Sequence, residues 1–389
     1  MIIDISFWND LIIPIRLSTP VSRGTREYRS VFDMDHDRIM YSNFFRRMHD
    51  KTQVFPYAPL STSGQARSRL SHSLEVSCVA RSLGMLVGDY LKGNDVSVVP
   101  HDVGMVCASA CLAHDIGNPP FGHSGEFAIQ HWCKENLGAA GLDQWERADF
   151  DRFEGNAQGF RILTRLETWQ RAGGLRPTVA TMCAYTKYPC SSLTEARTGC
   201  PKSKKYGYFK ADRNAFSEVF SAARILPADN DGRSYPRHPL AYLTEAADDI
   251  CYAVVDLEDA FHLGIISFDQ IYDFLMPIAS SDPAFEDEKH FDSDIRIARL
   301  RSATINSLIN QSFSVIIESI HSFEKHSFTG TVTDRIESAE HYRNIYDFSM
   351  EHIYNSSRVL EIECAGFKTI GGLLEMFIPA VLSNRPSAQ

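Results

Sequence analysis

Apolar residues return every three or four positions through "RLSHSLEVSCVARSLGMLVGDYLKG" (69–93), at Leu70, Leu74, Cys78, Leu83, Leu86 and Leu91. That spacing predicts a long helix with one buried face. "VVPHDVGMVCASACLAHDIGNPP" (98–120) opens near Pro100, runs through an Ala/Cys/Val-rich body and stops at Gly-Asn-Pro-Pro. Its small side chains suit a helix buried on most sides. "HPLAYLTEAADDICYAVVDLEDAFHLG" (238–264) predicts a third long helix, apolar along one stripe and closed by Gly264. A helical pattern also begins at "DRIMYSNFFRRM" and resumes from about residue 295 to about residue 385.

Three stretches interrupt this periodicity. "LSTPVSRGTREYRS" (17–30) is polar and punctuated by Gly and Pro, as an extended arm would be. "TEARTGCPKSKKYGYFKADR" (194–213) is a basic loop with short strands expected around "YGYFK", and "SSDPAFEDEKHFDSD" (280–294) is an acidic connector. No internal repeat and no βαβ alternation is found. The expected fold class is therefore mainly α: an N-terminal arm over 1–30, a large helical domain over 31–280 carrying 194–213 as a small β-containing insertion, and a helical region over 281–389.

Composition narrows the picture. The 389 residues are 44% apolar and 23% charged, ordinary globular usage. A net charge of −10 argues against a dedicated nucleic-acid binder but leaves room for a local basic pocket. The nine cysteines include no CxxC pair, and several sit in apolar runs, which points to buried free thiols in a reducing compartment. The N-terminus lacks the basic leader and small-residue cleavage site of a signal peptide, and no run of about 18 apolar residues is apparent. A cytoplasmic protein without a membrane span is the expectation.

The candidate chemistry centres on "LAHDIGNPPFGHSGE" (112–126), which packs two histidines, an aspartate and a glutamate around one Gly/Pro-rich bend. His114 and Asp115 end a buried helix, where a free carboxylate is costly unless a cation neutralises it. Neighbours on a helix point about 100° apart, so both reach one ion only near the axis of the helix exit. His72 on the first helix, and Asp248 and Asp249 among small apolar neighbours on the third, are further ligand candidates. One imidazole from each of two helices plus two carboxylates would suit Mn²⁺, Mg²⁺, Fe²⁺ or Zn²⁺. A capping or salt-bridge role for each residue taken singly is the alternative. His123 and Glu126 are three apart at the start of a new helix, as an acid–base pair would be, or as a helix cap would be.

These residues resemble something specific. "HDIGNPPFGHSGE" (114–126) is similar to the signature of bacterial deoxyguanosinetriphosphate triphosphohydrolases, members of the HD phosphohydrolase superfamily. "DRIMYSNFFRRMHDKTQVFP" (37–56), "RSRLSHSLEVS" (67–77), "FEGNAQGFRILTRL" (153–166), "KYP" (187–189) and "EAADDICYAVVDLEDA" (245–260) follow in the family's order. The resemblance spans roughly residues 30–380. It implies an HD-domain helical core with additional helices, and hydrolysis of a deoxynucleoside triphosphate, dGTP favoured, to deoxynucleoside and inorganic tripolyphosphate.

The same resemblance assigns metal ligation to His72, His114, Asp115 and Asp248, and the catalytic dyad to His123 and Glu126. It gives sugar or phosphate contacts to Gln53, Arg69, Asn118, Lys187, Tyr188, Tyr252 and Asp256. Tyr252 would stack on the sugar and Asp256 would accept a hydrogen bond from the 3′-hydroxyl; Lys205 or Lys204 would add charge for the triphosphate. Mg²⁺ or Mn²⁺ is the implied ion, with Fe²⁺, Co²⁺ or Zn²⁺ as alternatives. A homo-oligomer, hexameric by family analogy, and a nucleotide or single-stranded DNA effector are the implied partners. The competing readings are another HD phosphohydrolase, acting on a nucleoside monophosphate or cyclic nucleotide, and a non-catalytic nucleotide sensor.

Overall fold

Three helices predicted from periodicity meet at one point, and close packing of two of them sets the geometry there. The structure, a computed structural model, describes residues 3–17, 28–51, 53–54, 67–138, 140–167, 174–194, 205–287 and 289–383. In chain order the α-helices are α1 (Ile5–Leu11), α2 (Val31–Met40), α3 (Asn43–Arg46), α4 (Arg69–Gly93), α5 (Pro100–Ala113), α6 (Gly122–Asn136), α7 (Gln144–Asp151) and α8 (Gly155–Arg161). They continue as α9 (Val179–Tyr185), α10 (Arg213–Ala222), α11 (Pro239–His262), α12 (Phe268–Ala279), α13 (Ser293–Glu318), α14 (Ile320–Glu324), α15 (Ala339–Phe348) and α16 (Ser357–Ser383). The fold is mainly α, as expected.

Helix α4 starts at Ser68, whose hydroxyl accepts the Ser71 N–H, and α5 starts at Pro100, which needs no donor in its first turn. The two helices pack closely because glycines meet at their crossing. A Cβ on Gly84 would stand 3.0 Å from the Gly104 Cα, and one on Gly88 would stand 2.8 Å from the Pro100 Cα. Helix α11 lies against α4, α5, α9 and α13, and one continuous apolar core joins them. α5 ends at Ala113 rather than running on to Pro120, because Gly117, Pro119 and Pro120 turn the chain. α6 then begins at Gly122 (φ 54°), directly after the left-handed Phe121 (φ 66°). Such a conformation is strained for a phenylalanine.

Four expectations need correction. Residues 3–17 are not an arm: "DISFWNDL" forms an amphipathic helix whose Trp8 and Leu11 are buried, and Glu324 accepts the Asp4 N–H (2.8 Å) and the Trp8 Nε1–H (3.1 Å). Residues 18–27 lie outside the described residues. The β-containing insertion is reduced, among the described residues, to isolated bridges such as Cys190↔Ser234 and Ser191↔Tyr208, single pairings that never extend into a ladder. Residues 195–204 of that loop, Lys204 included, lie outside the described residues.

Cys190 is disulfide-bonded, unlike the free Cys78, Cys107, Cys111, Cys133, Cys183, Cys251 and Cys364. It sits where the returning basic loop lies beside it, with Gly207 N–H donating to the Cys190 carbonyl. Finally, Val359–Ser383 within α16 is long and apolar enough to cross a bilayer, with a mean hydropathy of 1.4. Its beginning is nevertheless part of the fold: α16 packs on α6, Ser124 Oγ donates to the Glu363 carbonyl, and Gly366 leaves room for the Phe121 ring.

Replacing Gly84 with Val should push α4 from α5 and cost about 1–3 kcal/mol of stability. Chemical denaturation reads this as a lower midpoint; an unchanged midpoint would show that the crossing tolerates side chains.

Candidate active site

The ends of α4 and α5 and the middle of α11 deliver four polar side chains to one spot. His72 lies in the first turn of α4, His114 and Asp115 follow α5, and Asp248 projects from α11. Single ligand atoms of His72, His114 and Asp115 lie within 4.8 Å of one another. Asp248 Oδ1 is 3.2 Å from His72 Nε2 and 3.6 Å from His114 Nε2, and Asp115 Oδ1 is 3.6 Å from His114 Nε2. His114 Nδ1 donates to the Cys111 carbonyl at 2.6 Å, which fixes the tautomer and leaves Nε2 with its lone pair facing the cluster.

Burial by itself raises the pKa of both carboxylates, but the neighbouring guanidinium and imidazoles outweigh it. Arg69 with His114 and His72 brings Asp115 down to about 2, and His114 with His72 holds Asp248 far below the usual carboxylate range. Two imidazole nitrogens and two carboxylate oxygens form a donor set that fits a divalent cation of the Mg²⁺, Mn²⁺, Fe²⁺ or Zn²⁺ kind. The neighbouring Asp249 has a different role. Burial raises it to about 7, and it accepts from Thr333 Oγ1 at 3.0 Å, on the α11 side facing Tyr342 rather than the cluster.

A cavity of about 490 Å³ opens in front of this cluster. Of the residues singled out in the sequence, Gln53, Arg69, His72, His114, Asp115, Asn118, His123, Lys187, Tyr188, Lys205, Asp248 and Tyr252 line it. Arg69 donates through Nη1 to Asp115 Oδ2, while its buried Nε has no acceptor among the described residues. Asn118 Nδ2 donates to Asp115 Oδ1, and Lys187 Nζ is paired with Glu245 Oε1 at 3.4 Å. Gln53 Oε1 is buried on the cavity wall with no donor among the described residues.

Two expected partnerships form differently. His123 and Glu126 are not hydrogen-bonded to each other. The buried Glu126 Oε1 instead accepts the Gly155 N–H at 2.7 Å, capping α8, and burial next to Glu154 raises its pKa to about 7. His123 Nε2 accepts from Lys205 Nζ at 3.2 Å, and desolvation, Lys205 and Arg69 push the imidazole down to about 4. Asp256 does not line the cavity. It is buried behind Tyr252 and Tyr354, and its carboxylate accepts the Tyr354 hydroxyl at 2.7 Å. Burial raises Asp256 to about 7. The Tyr252 and Tyr354 rings stack with centroids 5.1 Å apart.

Sequence reasoning missed the wall built by the C-terminal helices. Tyr346, Met350, Tyr354, Val359, Ile362 and Glu363 all reach the cavity. A π-helical stretch, Ser349–Tyr354, joins α15 to α16 and presents Met350 and Tyr354 there. No short motif marks these positions. The one available signal was the 3.6-residue period of the C-terminal region. Lys51 was also missed. Its ammonium donates to the Asn118 carbonyl at 2.5 Å, bracing the turn that carries Asp115.

Comparison with known proteins agrees with this geometry. Residues 69–156 match the model of the HD domain family. The chain is 40% identical over 390 residues to a deoxyguanosinetriphosphate triphosphohydrolase-like protein of Synechocystis sp., covering 97% of this chain and 87% of the relative. It is 37% identical to a protein of the same name from Pseudomonas aeruginosa, covering 97% and 86%. It is 30% identical to the deoxyguanosinetriphosphate triphosphohydrolase of Yersinia pestis, covering 91% and 77%. With a buried His-His-Asp group at the heart of its HD segment and such similarity along nearly its whole length, the chain belongs to the deoxyguanosinetriphosphate triphosphohydrolase family of HD-domain phosphohydrolases.

Proposed function

We propose that this phosphohydrolase cleaves deoxynucleoside triphosphates, dGTP above the others, into deoxynucleoside and inorganic tripolyphosphate. The carrying observation is that a four-donor cation site, three cationic side chains and a neutral imidazole share one cavity of nucleotide size. In this reading the oxygen of water bonds to the α-phosphorus, the bond from that phosphorus to O5′ breaks, and O5′ leaves with a proton. His72, His114, Asp115 and Asp248 would hold Mg²⁺ or Mn²⁺, which would supply Lewis acidity toward the phosphate.

The chain's own groups do the rest. Arg69, Lys187 and Lys205 offset the triphosphate charge, Arg69 being pre-aimed by Asp115 and Lys187 by Glu245. His123 stays neutral at physiological pH and is the base that takes the proton of the attacking water. The Gln53 amide oxygen is an acceptor for a sugar hydroxyl. The Tyr252–Tyr354 stack, pinned from behind by Asp256, gives the deoxyribose an apolar face on which a 2′-hydroxyl finds no partner. Glu363 is a carboxylate on the cavity wall. It matches the adjacent N1–H and 2-amino donors of guanine, whereas the corresponding edge of adenine offers an acceptor. The reading extends to a homo-oligomer in the cytoplasm, with catalytic residues confined to 31–280 and the base-facing wall supplied by 281–389.

The direct test is to incubate the purified protein with each dNTP and Mg²⁺ or Mn²⁺ and identify the phosphate product. Tripolyphosphate is expected; orthophosphate or pyrophosphate as first product would refute the reading. Asp248→Ala should lose bound metal by elemental analysis and lose turnover, with its circular dichroism unchanged. His123→Ala should keep its metal and lose at least about 100-fold in kcat, a typical contribution of one general base. Glu363→Gln should lower kcat/KM for dGTP about tenfold relative to dATP, since one guanine contact is worth roughly 1–3 kcal/mol; an unchanged ratio places the base elsewhere.

A further inference from the structure

Glu154 lies outside the expected set of site residues, yet it is a buried carboxylate next to the site. It precedes α8, its side chain is only 5% exposed, and Lys205 Nζ stands 3.6 Å from its Oε1. Asn156 Nδ2 donates to the same Oε1 at 2.7 Å, which holds the carboxylate in place. The same Lys205 ammonium stands 3.2 Å from His123 Nε2 and lies over the Tyr188 ring, 5.9 Å from its centroid. An ammonium has donors only, so in this arrangement it occupies the lone pair of Nε2 and leaves the imidazole proton on Nδ1. A base whose lone pair is occupied cannot take a proton from water.

We propose that Glu154 is a positioning residue: it anchors the Lys205 ammonium over the His123 Nε2 lone pair, and a bound triphosphate uncovers that lone pair by drawing the ammonium onto its own oxygens. The proposal rests on the triphosphohydrolase reading. It gives the lysine and the buried glutamate beside His123 a common task. The chain's other charges around His123 do not share this task. Arg69 reaches toward it from α4 but is committed to Asp115, and Asp115 itself faces the cation cluster. Lys187, beyond α9, is paired with Glu245, and Glu126 on the same helix is turned to the Gly155 N–H. The depressed pKa of His123 has the sign that a covering ammonium requires.

The titration of His123 in the metal-loaded, full-length protein tests this without any turnover. Its C2-proton exchange, followed by mass spectrometry, should be flat from about pH 5 to about pH 8 in the parent protein, where the imidazole is already neutral. In Lys205→Met the midpoint should move up into that window, by about one unit or more. Glu154→Gln should move it in the same direction, because the ammonium loses its anchor. Loss of a nearby negative charge alone would move it the other way, so a midpoint in Glu154→Gln that stays or falls overturns the proposal.

Glu154→Asp should restore the parent profile at least in part, which a purely structural role would not require. If Glu154→Gln fails to fold, the Lys205→Met arm still decides, and no rise there overturns the proposal. Inorganic tripolyphosphate should raise the parent midpoint by more than it raises that of Lys205→Met. Equal rises overturn the uncovering step. The absence of a rise in either protein means that no triphosphate binds, and then the underlying hydrolase reading fails instead.

Discussion

Two carboxylates from separate elements cannot sit together in a buried pocket without positive charge between them. Asp115 and Asp248 both place an oxygen 3.6 Å from the same nitrogen of His114, and that arrangement is the constraint on which the rest of the molecule depends. An uncompensated pair of this kind costs several kcal/mol. Arg69 compensates one oxygen of Asp115 and nothing on Asp248. The fold therefore stores a demand for a cation at the junction of α4, α5 and α11.

Environment, more than residue type, assigns roles in this site. Asp248 and Asp249 are adjacent on one helix, yet imidazoles pull the first far below its normal pKa and burial pushes the second to about 7. The same division recurs across the cavity. Arg69, Lys187 and Lys205 face the cavity, while Asp256 and Glu126, both raised to about 7, stand behind the wall and hold other groups in place. Charge is thus sorted by depth: ionised donors and acceptors in front, carboxyls poised to be neutral in the rear.

Much of this was legible in the sequence, and the failures share one cause. The long helices follow directly from their apolar period, and the bend at 114–126 announces itself because so many titratable residues around prolines have no cheap structural explanation. His72, His114, Asp115 and Asp248 all reach the expected point. The contacts of Glu126 and Asp256 were not foreseen because their partners, the Gly155 N–H and the Tyr354 hydroxyl, come from segments 29 and 98 residues away. Local spacing gives no information about such contacts. Lys205 was expected near the site, but its contact with His123, from 82 residues away, was not. The amphipathic helix in residues 3–17 was obscured by its three polar interruptions, although Trp8 and Leu11 lie one turn apart.

The π-helical stretch before α16 has a consequence for how this pocket can diverge. A π turn holds one residue more than the α-helix it interrupts, so losing that residue lets the segment relax to regular winding. Everything beyond it then rotates by about 100° about the axis. For this chain, deleting a single codon within 349–354 would swing Tyr354 off its stack and present a new set of α16 side chains to the ligand, leaving the cation cluster on the other helices unaltered. The cation cluster and the C-terminal wall of the cavity are thereby encoded on separate parts of the gene.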